Sequence, residues 1–423
     1  MIRHATRLTA LAALAVPALL HAQRASSRPG SPSASPTSAS PSLVASEFDA
    51  LHFRSIGPAT MSGRIADVAV FENNPSIYYV GTAHGGVWKT VNNGTTFTPL
   101  FQNEGLIAIG DVAVSQVNPD VVWAGAGESN NRQSTSWGGG LYKSTDGGKT
   151  FALVGLPNSK HINRIVIHPT NENIVLVAAT GPLFGPGGDR GIYKTTDGGL
   201  SWKQVLKGDD DTGANDIALS PSDPNVMFAS MYQRRRTACC MNGGGPGSAL
   251  YKSTNGGDTW TKVTGTGFPT GSLGRIAVDV FRQSANIVYA TVEAPTISRP
   301  GAGGAAAAPQ PEGMTNAPAG SASGATGVYR SLDGGATWSK MSATNPRPMY
   351  FSNLRVDPVN PDRVYMGGVG LHMTVDGGKN WETDAALVIH DDIHAIWVNP
   401  KNPDHVLIGG DGGLGVSYDL SRS

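Results

Sequence analysis

Apolar residues in this chain come in short β-branched runs separated by polar turns, and the pattern recurs. Three examples are RIADVAVFENNPSIYYVGT, RIVIHPTNENIVLVAAT and NLRVDPVNPDRVYMGG. In each, one apolar run, a turn rich in Asn, Asp and Pro, and a second apolar run predict an antiparallel hairpin. A second motif follows each hairpin. It reads KTVNNGTTF (Lys89–Phe97), KSTDGGKTF (Lys143–Phe151), KTTDGGLSW (Lys194–Trp202), KSTNGGDTW (Lys252–Trp260), RSLDGGATW (Arg330–Trp338) and MTVDGGKNW (Met373–Trp381). A seventh copy begins as VSYDLSRS and reaches Ser423. The short Asp or Asn side chain accepts amide hydrogens across the turn, Gly takes the left-handed conformation, and the closing Trp or Phe anchors the next strand.

Hairpin plus motif makes four strands per repeat, A to D, which is one blade of a propeller. The Asp-equivalent positions are 54, 51, 58, 78, 43 and 43 residues apart. The shortest spacing fits a minimal blade of ~40–45 residues. The excess length falls between strands B and C, in Glu128–Gly140, Gly181–Gly191, Gln233–Ala249 and Ala294–Gly327. In a four-stranded blade the B–C and D–A loops share one face, so the long excursions decorate a single side. Function sits on variable loops held by rigid elements, and that side is expected to be the working one.

The fold class predicted is all-β: a seven-bladed β-propeller of four-stranded antiparallel blades, closed by an N-terminal strand in the last blade. FRSIGP (Phe53–Pro58) is similar to the D strand in TFALVGLP (Thr150–Pro157), and blade seven shows strands near Ile393–Val398, His405–Ile408 and Leu414–Tyr418 with no D strand of its own. Phe53–Ile56 is expected to supply it, leaving no exposed edge. An eight-bladed or open ring is the alternative.

Composition narrows the function. Lys and Arg number 32 against 32 Asp and Glu, so no basic face for nucleic acid is expected. The 55 glycines and 28 prolines suit a loop-dense β fold, and 15% charged residues exclude a coiled coil. Arg3, His4 and Arg7 precede the apolar run Leu8–Leu20, with His21-Ala22-Gln23 as a cleavage point. Residues 1–22 therefore read as a signal peptide, 23–50 as a Ser/Pro/Ala-rich linker, and 51–423 as the propeller with 294–327 a disordered insertion. No later apolar run is long enough to span a bilayer. The product is expected to be secreted or periplasmic, and monomeric. Cys239 and Cys240 are the only cysteines; in an oxidising compartment they would close a vicinal disulfide, and otherwise they are two thiols on a loop.

The motif copies resemble the Asp-box, or bacterial neuraminidase repeat, of a propeller family, with the sortilin N-terminal type and xyloglucanase-type glycoside hydrolases most similar. The resemblance covers Phe53 to Ser423. It implies that Asn92, Asp146, Asp197, Asn255, Asp333, Asp376 and Asp419 are structural Asp-box positions. Xyloglucanase-type enzymes place an Asp before a Gly-Gly turn in the first blade and a second carboxyl on another propeller. Here that segment reads GTAHGGVWKT, with Ala83 and His84 where the Asp is expected. Sialidases draw an arginine triad from separate blades, whereas Arg234, Arg235 and Arg236 are consecutive. Related secreted bacterial proteins with the FRSIGP…SGRI opening continue through a complete seventh box into a second propeller, and Asp419 here precedes Leu420 instead of Gly.

Candidate chemistry on the loop side comprises His84; Glu128, Asn130, Asn131, Arg132 and Trp137; Tyr232 and Arg234; Glu293; His390, Asp391, Asp392 and His394; and Asp411. Aromatic and carboxylate groups of this kind suit a polysaccharide or peptide ligand. Asp411, Asp392 and Glu128 are the catalytic candidates, because glycoside hydrolysis needs an acid and a base ~5–10 Å apart. His390, His394 and Asp391 lack a third element for a metal, and no cofactor or metal is expected. The leading reading is an exported binding module. The alternatives are a glycoside hydrolase, as the N-terminal half of a two-propeller enzyme, and a sortilin-like sorting or assembly factor.

Overall fold

In the computed structural model the described residues are 63–132, 134–294, 324–351, 353–383, 385–386 and 389–422, and their regular structure is entirely β. Twenty-seven strands, β1 to β27 in chain order, form seven antiparallel sheets. The innermost strands of the seven blades are β1 (Ile65–Val70), β5 (Ile109–Val114), β9 (Ile162–His168), β13 (Thr212–Leu219), β18 (Ile276–Val280), β22 (Asn353–Val356) and β25 (Ile393–Val398). The first five sheets contain the full A-to-D set. The fourth adds β15 (Met241–Gly243), which pairs with a lengthened β14 (Met227–Arg236). Blade six shows three strands plus a bridge between Met373 and Glu382, and blade seven shows three strands ending in β27 (Gly413–Ser417) among the described residues. The expected closing strand, Phe53–Ile56, lies outside those residues.

The ring is closed at its core. One apolar cluster fills each seam between neighbouring blades, and there are seven such clusters. The seam of an open seven-bladed ring would be lost between the first and last blades. Here Ile65, Tyr78 and Trp88 of blade one pack against Ala395 and Leu407 of blade seven. Each fully buried aliphatic or aromatic side chain contributes about 1.5–3 kcal/mol, so burial in this seam stabilises the closed ring.

The repeated turns explain the spacing of the motif. Ser144 Oγ donates to Asp146 Oδ1 at 2.8 Å and accepts the Gly148 amide at 2.8 Å, while Asp146 Oδ1 accepts the Thr150 amide at 3.0 Å. The same hydrogen bonds recur around Asp197, Asp333 and Asp376, and Asn92 and Asn255 reproduce the acceptor half. Gly147 and Gly148 sit at φ +73° and +88°. In the seventh turn Leu420 and Ser421 are forced to φ +64° and +66°, a conformation that costs a side-chain-bearing residue about 1–2 kcal/mol.

The leading Lys of the motif clamps neighbouring blades. Lys89 donates to the Gly147 carbonyl at 3.0 Å, Lys143 to Gly198 at 2.8 Å, Lys194 to Gly256 at 2.8 Å and Lys252 to Gly334 at 2.7 Å. Arg330 pairs with Asp362 of blade six at 2.8 Å. Each cation thus ties its own C strand to the next blade. Met373 and Val416 occupy this place in blades six and seven, so the clamp is missing at the last two seams.

Two outcomes follow for stability. Lys143→Met is expected to lower the unfolding free energy by about 1–3 kcal/mol, measured by denaturant titration. Asp197→Ala is expected to lower the melting temperature, whereas Asp197→Asn keeps it near the parent value, because Asn fills the equivalent place in blades one and four.

Candidate functional site

The inner strands carry charge into the axis. In β1, β5, β9, β13 and β25 the pairing register shifts by one residue near the start of the strand. Such a bulge re-aims side chains locally. The residues skipped are Ala66, Gly110, Asn163, Asn215 and His394, and all five line an axial chamber of about 50 Å³. The next residue in four of these strands is Asp67, Asp111, Arg164 or Asp216, and these form a belt around the channel with Asp279 and Arg355. Asp111 accepts the Ile165 amide at 2.7 Å, Asp216 the Val278 amide at 3.1 Å and Asp279 the Val356 amide at 2.8 Å. Each carboxylate therefore binds the inner strand of the following blade. Arg164 lies 3.5–3.8 Å from Asp111, Asp216 and Asp67. Burial pushes the Asp67, Asp111 and Asp279 carboxyls above their usual range, Asp111 furthest, where proximity to Asp67 adds to the effect.

On the loop face the axis is covered. The blade-two B–C loop carries Glu128, Asn130, Asn131 and Arg132. Glu128 is fully buried in an ion pair with Arg64, whose Nε donates at 2.8 Å. Its carbonyl accepts His161 Nδ1 at 2.8 Å. Asn131 donates to the Met349 carbonyl at 2.8 Å and to Tyr232 Oη at 3.3 Å, and it accepts Arg234. Arg236 Nη1 donates to the Asn131 carbonyl at 3.2 Å. From blade six, Tyr350 and Phe351 turn inward; Arg275 donates to the Tyr350 carbonyl at 2.5 Å. Three excursions, from blades two, four and six, thus meet over the channel.

Over a buried aromatic cluster a small polar surface remains, with Asp411 exposed and Arg132 and Arg347 part-exposed. Arg347 and Arg132 stack on the Tyr350 ring at 4.7 and 5.6 Å. Tyr350 and Phe351 both pack on His394. Asn130 Nδ2 meets His394 Nδ1 at 3.3 Å, and His394 Nε2 meets Asp411 Oδ1 at 3.0 Å. Those partners assign a neutral imidazole, with Nδ1 accepting and Nε2–H donating. Burial likewise pushes His394 below its usual value near 6.5. Burial works to raise the Asp411 carboxyl, but the His394 hydrogen bond and the charges of Arg64 and Arg132 outweigh it and hold Asp411 below the usual range.

The sequence candidates divide accordingly. Glu128, Asn130, Asn131, Arg132, Tyr232, Arg234, His394 and Asp411 converge on the axial mouth. Glu293 lies buried beneath it, its carboxylate accepting the Arg275 amide at 2.9 Å. His84 bonds Ser136 of the blade-two loop at 2.8 Å, and Trp137 on that loop is 54% exposed. Asp391 and His390 are exposed, apart from buried His394, and Asp392 stands at φ +69° with its carbonyl accepting the Asp411 amide at 3.1 Å. Among the described residues no three His, Cys, Asp or Glu are grouped to hold a metal. The arginine run belongs to strand β14, not to a loop: alternation buries Arg234 and Arg236 and leaves Arg235 to pair with Asp211. Cys239 and Cys240 form a vicinal disulfide at the tip of the β14–β15 hairpin. Arg275, Arg347, Tyr350 and Phe351 carry no motif and are seen only in three dimensions, and Arg64, although part of the SGRI opening, is not among the sequence candidates.

Similarity to known proteins agrees with this architecture. The family model described as Sortilin, neurotensin receptor 3 matches residues 139–267. A xyloglucanase of Hypocrea jecorina (strain QM6a) is 24% identical over 234 residues, 48% of this chain and 26% of that protein. A xyloglucanase of a Paenibacillus species is 26% identical over 245 residues, 50% of this chain and 22% of that protein. The matches thus span about a quarter of the length of these curated relatives. Among solved structures, the GH74 xyloglucanase of Xanthomonas campestris superposes with a TM-score of 0.57 at 16% identity, covering 86% of this chain and 53% of that one. YCF48 bound to D1 peptide gives a TM-score of 0.52 at 15% identity, covering 85% and 94%. At these identities the structural likeness concerns the propeller fold. No helix among the described residues is long and apolar enough to cross a membrane.

The cover over the axis makes stability pH-dependent. Burial pushes His161 well below its usual value, and His394 in the same direction. Below about pH 6.5 the unfolded chain binds protons that the folded chain refuses. This contribution is complete above that pH and is lost as the pH falls. The unfolding free energy is expected to drop by roughly 1 kcal/mol per pH unit between pH 6.5 and 5 on account of His161, with His394 adding to the loss in the same direction. His161→Asn, which preserves a donor toward the Glu128 carbonyl, is expected to flatten that slope in denaturant titrations.

Proposed function

We propose that this protein is an exported propeller that binds a carbohydrate polymer on its loop face and does not cleave it. The observation that carries this reading is the state of the carboxylates at the axial mouth. Glycoside hydrolysis needs one carboxyl held protonated as the acid and a second, ionised, across the bond. Glu128 is consumed by its buried pair with Arg64. Asp411 is held ionised by His394 and two arginines. The carboxyls that burial holds toward the protonated state, those of Asp67, Asp111 and Asp279, belong to the axial belt beneath the covering loops.

The same face offers binding groups. Trp137 exposes over half its surface on the Gly-rich limb of the blade-two loop, and the part-exposed guanidiniums of Arg132 and Arg347 lie over the buried Tyr350 ring. Aromatic faces and planar donors suit sugar rings and hydroxyls. The xyloglucanases among its relatives support a β-glucan of the xyloglucan class as the first ligand to test. The second reading is hydrolysis with Asp411 as base and Asp392 as acid, favoured by the proximity of their backbones.

Affinity electrophoresis and reducing-end detection on xyloglucan separate the two. Retardation of the native chain is expected, with about tenfold weaker binding for Trp137→Ala and no new reducing ends. Sugar release that disappears in Asp411→Asn would establish the hydrolase instead.

A further inference from the structure

The chain places its only two cysteines in the turn of the β14–β15 hairpin. The last three residues of β14, Arg234, Arg235 and Arg236, pair with Gly243, Asn242 and Met241. A two-stranded ribbon of this length is marginal in water. Its connection, Thr237-Ala238-Cys239-Cys240, holds no Gly, Pro, Asn, Asp or Ser, the residues that ordinarily set a tight turn. The Thr237 amide and hydroxyl both donate to the Cys240 carbonyl, at 2.8 and 3.3 Å. The Cys239–Cys240 disulfide lies inside this connection. A bond between neighbours encloses no intervening residue, so it adds nothing by closing a long loop. It acts on the backbone of two residues, and those two residues are half of the turn.

The residues on either side of the turn hold the cover over the axis. Arg236 Nη1 donates to the Asn131 carbonyl at 3.2 Å and to Met241 Sδ at 3.4 Å, and the Arg236 amide donates to the Leu183 carbonyl at 2.9 Å. Met241 packs against the cluster of Met349, Tyr350 and Phe351. The loops of blades two, three and six therefore all rest on this hairpin. Asn131 in turn precedes Arg132, whose guanidinium lies over the Tyr350 ring. Residues 237–240 are themselves exposed, so a thiol reaches the sulfurs while the fold stays closed. With no third cysteine in the chain, the two reduced thiols have only each other as an internal partner.

We infer that Cys239–Cys240 is a thiol–disulfide exchange site whose co-substrate is a dithiol, and that its redox state sets the order of the cover on the loop face. A thiolate of the dithiol attacks one cysteine sulfur, the Cys239–Cys240 bond breaks and a mixed disulfide forms. The second sulfur of the dithiol then displaces the protein sulfur and closes its own disulfide. Two electrons and two protons pass to the protein, which keeps two thiols. In the oxidised state the turn is fixed and the cover is preorganised. In the reduced state the tip frays, Arg236 and Met241 lose their seats, and a ligand must order the cover as it binds. The ligand readout alone rests on the carbohydrate-binding reading.

The full chain, oxidised and after treatment with dithiothreitol, tests this by thiol titration, amide hydrogen exchange and xyloglucan retardation. Reduction of the folded chain is expected to yield both thiols. Exchange across 236–243 and 349–351 should accelerate at least about tenfold, with β1 and β18 unchanged. Xyloglucan binding should weaken about threefold or more and recover on reoxidation. The double variant Cys239→Ser, Cys240→Ser should exchange like the reduced parent and ignore dithiothreitol. Equal exchange in the two redox states, acceleration confined to 237–240, or a folded chain that yields no thiols would each overturn the assignment. Xyloglucan left unretarded in both states would remove the carbohydrate reading, and the exchange rates would still decide the redox one.

Discussion

Every blade of this molecule has two apolar faces and no way to bury both alone. That constraint governs the rest. A β-sheet of three or four strands leaves its faces open to water unless another sheet covers them. Stacking blades side by side solves the problem for all but the two at the ends, and only closure solves it for those. The contact of Ile65, Tyr78 and Trp88 with Ala395 and Leu407 completes the circle. Once the ring is closed, seven inner strands converge on one axis, where side chains crowd. Short residues or charges that bond the neighbouring backbone can fit there. The belt of Asp67, Asp111, Asp216 and Asp279 does so by accepting amides from the next blade, and Arg164 balances part of its charge.

The two mouths of the channel then diverge in character. The turn side is built from short connections of nearly constant length and stays open above an apolar wall. The loop side receives the long excursions, and three of them interlock through Asn131, Arg234, Arg236 and the Met349–Phe351 segment. That network is polar and buried. Its groups are expensive to leave unpaired, so it fixes the loops in one arrangement and presents Trp137, Arg132 and Arg347 from a rigid base. Binding by a preorganised surface of this kind loses little ordering entropy.

Much of the fold was legible because it repeats. Seven copies of one turn, at intervals close to a blade's length, specify strand number, order and the side on which extra residues fall. The site was legible only in part. Glu128, Asn131, His394 and Asp411 stand out as polar residues in loops. The belt did not, because Asp67 in IADVAV or Asp111 in IGDVAV looks like an ordinary solvated position in an alternating strand; the bulge that turns it inward leaves no mark in the alternation. The charge recurring at one place in several inner strands was the available signal. The RRR run misled for the opposite reason. Three consecutive charges suggest a solvated loop, yet β14 continues through them and its two-residue period sends Arg234 and Arg236 inside. Tyr350 and Phe351 lie in RPMYFSN, a stretch without period or motif, and only the crossing of blades gives them a partner.

The central claim is that blades one and seven are neighbours. Asn73 and Lys401, on the turn side of those blades, meet at 3.3 Å. Spin labels on cysteines at these two positions, read by double electron–electron resonance, test that directly. A single narrow distribution at the short end of the measurable range, lost on unfolding, is the predicted result. A broad or long distribution in the folded protein would mean that the ring is open, and would contradict the account.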